Sequence, residues 1–182
     1  MDLVGNLLIA PPSVKGNFWY KTVIMVTENH SQGSLGLVLN KRTELSLASF
    51  GEQLGYELDI PGFVYQGGPI NSKSLTLLHT NEWACKNTMR INHQFSISSA
   101  DDIVPRLSMG DAPYQWRIFL GMAGWAPKQL ISEIKGIEPW QESNSWCTAK
   151  SDLELVFGSD SKDQWCNALD RSGLEFAQTM LT

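Results

Sequence analysis

Basic charge, histidine and cysteine are all scarce in this sequence, and each scarcity removes a class of function. Lys and Arg number 14 against 19 Asp and Glu, a net charge of −5, and Lys41–Arg42 is the only adjacent basic pair. Such a chain repels phosphate backbones and anionic membranes, and no stripe of basic and aromatic residues offsets that, so nucleic-acid and membrane partners are disfavoured. The three cysteines, Cys85, Cys147 and Cys166, are odd in number and too sparse for a disulfide framework, which predicts a reduced, cytoplasmic setting. His30, His79 and His93 stand far apart, and no H-x-x-x-H, H-E-x-x-H or C-x-x-C spacing occurs, so neither a metal nor a cofactor is implied. Long apolar runs are missing as well. The stretch up to Ala10 lacks a basic flank and is broken by Asp2 and Asn6, unlike a signal peptide. No segment approaches the roughly 18 to 20 apolar residues needed to span a bilayer.

What is present suits a packed core. Apolar residues make up 42% of the chain, and seven Trp with seven Phe supply large bodies to bury. A chain of 182 residues fits one domain, spanning 1–182, that buries about 70% of its unfolded surface. Leu3–Ala10 and the β-branched run Thr22–Thr27 read as strands. The polar segment 28–34 and the apolar Leu35–Leu39 complete a hairpin with a several-residue loop. Ser46 caps a short helix that Gly55 stops. Phe63–Gln66 and Leu75–His79 are further strands. In Ile91–Ser98 the residues Ile91, His93, Phe95 and Ile97 alternate with polar neighbours, which predicts a strand with one wet face and a core histidine at position 93. A short helix holding Pro105 follows, then a strand through Trp116, Ile118 and Leu120. Pro127 suits the first position of a helix buried through Leu130, Ile131 and Ile134 and ended by Gly136. Ser145–Ala149 and Leu153–Phe157 read as late strands. A last helix, 162–171, carries a Ser161/Gln164 capping box, with Gly173 past its end. Strands cluster without strict alternation with helices, which predicts an α+β fold with a mixed, mostly antiparallel sheet and a few short helices.

Residues able to do chemistry are few, and each has a structural explanation beside the functional one. Ser159–Lys162 matches S-x-x-K without its partner motifs, and a helix cap explains it. Cys147, on a strand, and Cys166, in a helix, each follow a Trp and read as buried, inert thiols. Gly67-Gly68-Pro69 after a strand can offer backbone N–H groups to an anion, or can make a tight turn. Trp125 stands just before a helix on which Gln129 and Glu133 share a face. These three form either a binding cleft, or a tryptophan lid beside a solvated polar pair.

Taken in order, several short motifs resemble the AlgH/YqgE family of bacterial proteins. They are Gly5-Asn6-Leu7-Leu8-Ile9-Ala10-Pro11, Phe18 with Thr22–Val26, Gly33-x-x-Gly36-Leu37-Val38-Leu39-Asn40, Val64–Pro69, Leu77-Leu78-His79 and Gly121-x-Ala123-Gly124-Trp125. Gln129-Leu130, Glu133-Ile134, Trp140 and Trp146 extend the likeness over nearly the whole chain. The resemblance implies an α+β fold with a bent, partly barrel-like sheet and an intracellular bacterial protein whose activity is not established. The family name reflects a proposed role in regulating alginate production, and a transcriptional role is implied by that label alone. The chain departs from the family at Lys128, where a glycine is expected after Pro127, and at Pro105.

The reading that follows favours a non-catalytic binding or regulatory module for a protein or small ligand. Its candidate surface gathers Asn40, Gly67, Gly68, His79, Trp125, Gln129 and Glu133. A hydrolase, with His79 as general base and the Gly67-Gly68 amides polarising an oxygen, is the alternative. It requires those residues to converge. A DNA-binding regulator comes third, against the acidic charge.

Overall fold

The computed structural model describes residues 3–99, 101–139, 145–158 and 161–181. Trp140, Ser159 and Asp160 lie outside them. The architecture is α+β: a curled, half-barrel sheet with a few short helices. Ten strands run in the order β10-β1-β2-β3-β9-β6-β8-β7, while β5 pairs with β9 and β4 with β5. Their ranges are β1 Asn6–Ile9, β2 Val23–His30, β3 Gly33–Val38, β4 Arg42–Ser46, β5 Phe63–Gln66, β6 Ile70–Thr80, β7 Thr88–Arg90, β8 Phe95–Ser98, β9 Trp116–Trp125 and β10 Cys147–Lys150. The helices are α1 Leu47–Gln53, α2 Ile103–Ser108, α3 Gln129–Lys135 and α4 Gln164–Met180. All pairings are antiparallel except β5 with β9.

Hydrophobic patterning accounts for most of this. In β1 and β2 the apolar run is buried on both faces, as continuous runs in central strands require. The β2–β3 hairpin is tighter than the sequence suggests, because β2 continues through a register shift between Val26 and Glu28 to His30. Ser46 caps α1 as expected, its hydroxyl accepting from the Ser49 N–H at 3.1 Å. The short strands β4 and β7 have no counterpart in the sequence reading.

Several expectations are corrected. Only Phe95–Ser98 of the segment 91–98 is a strand. Asn92 Oδ1 accepts from the backbone N–H groups of Gln94 (2.9 Å) and Phe95 (3.0 Å), folding 91–94 into a side-chain-supported turn. His93 is therefore exposed, while Ser96 and Ser98 are buried. Leu153–Phe157 is not a strand either: Glu154–Gly158 forms a π-helical turn. Asp152 starts it, Oδ1 accepting from Leu155 N–H at 2.8 Å, and Gln164 donates to the carbonyls of Leu155 (2.8 Å) and Val156 (3.2 Å). A short apolar run fits strand and helix alike, and these side-chain partners decide between them. Gln164, so occupied, caps nothing, and α4 starts with no side-chain cap. The helix also runs straight through Gly173 to Met180, nine residues past the expected end at Arg171. Finally, Cys166 is exposed, not buried.

β9 organises the sheet. Its first half is flanked by β6 and β5, and its second half by β3. The exchange occurs where Gly67-Gly68 leaves β5 and crosses β9 at a kink on Gly121 (φ +76°). Gly67 N–H donates to Leu120 O at 2.9 Å and Gly67 O accepts from Val38 N–H at 2.8 Å, so this glycine joins β9 to β3. A Cβ on Gly67 would strike the Gly121 carbonyl, and one on Gly68 (φ +151°) would strike the backbone of Met122 and Ala123. Backbone crowds both positions, and backbone cannot step aside. Gly68→Ala is expected to cost more than about 3 kcal/mol, read as a lowered urea midpoint. Gly16→Ala, at an open position, should cost about 1–2 kcal/mol, the penalty for left-handed backbone alone.

Candidate functional site

The residues singled out by sequence do not gather at one place. His79 faces Trp116 across the β6–β9 ladder. Gly67 meets β9 at Leu120, four residues or about 13 Å farther along. Trp125 closes the far end of the same strand. Asn40 sits beyond β3, where its Oδ1 accepts from Val23 N–H (3.0 Å) and its Nδ2 donates to Lys21 O (2.8 Å), pinning β2 to the end of β3. His79 and Glu133 accordingly do not meet, and the Gly67 amide is spent on the ladder.

His79 is sealed in the core. Its Nδ1 lies 2.8 Å from Thr80 O, a carbonyl that can only accept, so Nδ1 donates there. Nε2, 2.8 Å from Ser98 Oγ, then accepts. The chain continues from Thr88 Oγ1 to Ser98 Oγ at 2.7 Å, and from Cys85 N–H to Thr88 Oγ1 at 2.8 Å. Trp83 packs edge-on to the imidazole with centroids 5.1 Å apart. Burial pushes the His79 pKa below its ordinary 6.5, against smaller raising effects from the Thr80 carbonyl and Glu82. A neutral imidazole serves this network, and solvent does not reach it.

At the other end of β9, Glu133 is buried where the sequence allowed a solvated face. Its Oε2 accepts from both indole N–H groups, Trp125 at 3.0 Å and Trp146 at 2.8 Å, and its Oε1 accepts from Gln129 Nε2 at 2.8 Å. Gln129 Oε1 in turn accepts from Ala126 N–H at 2.9 Å, fixing the entry to α3. Trp125 and Trp146 pack edge-on, 6.3 Å between centroids. The helix starts one residue after Lys128, which holds left-handed backbone at φ +67°, so Pro127 precedes the helix and does not open it. A glycine would take that conformation without the roughly 1–2 kcal/mol that a Cβ costs there.

Trp125 also borders a shallow concavity of about 390 Å³ with Ile70 and Gly124, but a cleft that gathers rings and guanidinium groups lies elsewhere, and none of those seven residues lines it. β5 and β9 run parallel but pair only at Tyr65–Phe119 and Gln66–Leu120. Upstream the two strands splay, β5 following β4 and β9 following β6. The gap is a cleft of about 590 Å³ between segment 60–65, segment 114–118, Arg42 and Phe157. Two guanidinium groups flank it, each laid on rings. Arg42 lies 4.5 Å from the Phe63 centroid, and Arg117 lies 4.8 Å from Tyr65 and 6.0 Å from Phe157. Arg117 is held further by Leu39 O and Gln164 Oε1, both at 3.1 Å. No Asp or Glu appears among the described lining residues. The sequence carried one signal for this site: Arg117 falls between Trp116 and Ile118 in a strand otherwise apolar. Among the described residues no group of three or more His, Cys, Asp or Glu side chains is placed to hold a metal ion, and no helix is long and apolar enough to cross a membrane.

Comparison with known proteins places the architecture. The AlgH-like family matches residues 7–177. A UPF0301 protein of Photobacterium profundum is 30% identical over 182 residues, covering 96% of this chain and 94% of its own. The solution structure of the AlgH protein from Pseudomonas aeruginosa superposes with a TM-score of 0.75 at 26% identity, over 99% of this chain and 94% of that one. A crystal structure from Corynebacterium diphtheriae, with a TM-score of 0.70, 22% identity and coverage of 91% and 84%, shares the fold.

Two measurements test the roles of the buried polar groups. Because folding keeps His79 neutral, the unfolded chain takes up a proton near pH 6.5 before the folded chain does. Stability from this source is complete above that pH and is lost as pH falls below it. Urea midpoints should decline from pH 7.5 to 5.5, with a flatter decline in His79→Gln. In Glu133→Gln, one of the two oxygens that together accept from three N–H groups becomes a donor amide, so at least one of those N–H groups loses its acceptor. Unfolding free energy should fall by about 1–3 kcal/mol, with a change in tryptophan fluorescence as Trp125 or Trp146 loses its partner.

Proposed function

Because the chain belongs to the AlgH-like family, whose model matches residues 7–177, we propose that it works as a non-catalytic binding module that takes a small ligand in the β5–β9 cleft. The observation carrying this reading is a division of labour. The two candidate acid–base side chains singled out by sequence are committed to internal bonds, His79 to Thr80 and Ser98, and Glu133 to two indoles and an amide. The cleft, in contrast, is open and lined by rings and guanidinium groups, the residue types that hold ligands. A hydrolase built on His79 and the Gly67-Gly68 amides has less support, since a general base must come within hydrogen-bond reach of its substrate. A DNA-binding role has less still, given the net charge of −5.

Backbone amide spectra of the 15N-labelled protein, titrated with metabolite mixtures of both charge signs, test the reading. Shifts should gather on Phe63, Tyr65 and Tyr114–Arg117. Shifts gathered on His79, Ser98 and Gly67-Gly68, accompanied by turnover of the added compound, would contradict it.

A further inference from the structure

We infer that the ligand of the β5–β9 cleft is a small anion carrying a planar ring, a phosphate or carboxylate attached to an aromatic or heteroaromatic group. This rests on the cleft being the binding surface and adds the chemistry of its occupant.

Arg42 supplies the charge. It is exposed and takes part in no ion pair among the described residues. Its guanidinium plane is backed by the Phe63 ring at 4.5 Å, which fixes its orientation and shields one face from water. The N–H edge of a guanidinium so stacked meets a carboxylate or phosphate with two parallel, charge-assisted hydrogen bonds. No carboxylate among the described lining residues competes for it. Arg117, held on the Tyr65 ring across the cleft, adds positive potential from the opposite wall. In a chain with an acid excess, a concavity with two cations selects for negative charge.

Tyr114 and Trp116 supply the planar surface. Tyr114 is 88% exposed at the rim, Trp116 is half-buried against the core, and neither ring takes part in an aromatic pair among the described residues. A solvent-facing ring beside guanidinium groups favours a ligand with a face to stack. The Tyr114 backbone is meanwhile held by Glu82, whose Oε1 accepts from its N–H at 2.6 Å. The backbone is thus fixed at the rim, with the ring in solvent.

Adenosine monophosphate and 4-hydroxybenzoate serve as ring-bearing anions, with adenosine and inorganic phosphate as the separated halves. Each is titrated into the labelled full chain at low and moderate salt, following the amides of Phe63, Tyr65 and Tyr114–Arg117. At least one ring-bearing anion should bind there about 10-fold or more tightly than either half, and more weakly as salt rises. Arg42→Gln should weaken that binding about 10- to 100-fold while amides outside the cleft keep their positions. Tyr114→Ala, at an exposed position, should weaken the ring-bearing anion more than phosphate. If adenosine shifts the same amides as strongly as its monophosphate and Arg42→Gln changes nothing, the anion assignment is overturned and the cleft stands. If neither anion shifts the cleft amides at millimolar concentration, the assignment is overturned as well. Shifts that gather on another surface overturn both the assignment and the cleft.

Discussion

The fold depends on a place where two backbones touch with no side chain between them. Gly67 and Gly68 cross β9 at its Gly121 kink, and a Cβ on Gly67 or Gly68 would collide with that strand's backbone. The contact lets one strand belong to two neighbourhoods, with β5 and β6 on its first half and β3 on its second. It also ends the parallel β5–β9 pairing on its downstream side, while upstream β5 pairs with β4 and β9 with β6 on either side of the cleft. The sheet curls for the same reason, since a strand that changes partners across a kink cannot lie flat. The glycine motif that sequence reasoning offered to an anion is thus spent on backbone, and the cleft lies several residues upstream of it.

Polar groups buried around this frame are matched donor to acceptor. His79 relays between Thr80 O and Ser98 Oγ, Glu133 collects three N–H groups, and Trp165 donates to Ala10 O at 2.7 Å, tying α4 to β1. Among the described residues no buried side-chain nitrogen or oxygen lacks a partner. Fully matched networks of this kind hold a fold rigidly and leave little capacity for an outside molecule. Recognition is then left to groups at the surface of the cleft, where the exposed Arg42 guanidinium rests on the Phe63 ring.

Much of the fold was legible because hydrophobic periodicity and local caps decide it. Phe63–Gln66 and the Ser46 cap were read with their correct bounds, and the ordered motifs identified the family. Failures came where a side chain overrode the pattern. Asn92 turned the first half of the cleanest alternating segment into a turn, and Asp152 with Gln164 wound an apolar run into a π-helical turn. The burial of Glu133 was hidden because its tryptophan partners come from outside the helix, eight residues before it and thirteen after. The cleft was harder still to see. Its walls come from four separate stretches of chain, and no local spacing announces that Arg42, Tyr65, Arg117 and Phe157 meet.

A crystal structure of the protein isolated from its native cells, with its ligand retained, tests most directly the claim that the interior networks hold the fold while the cleft holds the ligand. The account predicts non-protein density between β5 and β9, within hydrogen-bond distance of Arg42 and against the Tyr114 or Trp116 ring. Density seated against His79 or against the Glu133–Trp125–Trp146 cluster, with those internal hydrogen bonds broken to receive it, would contradict the account.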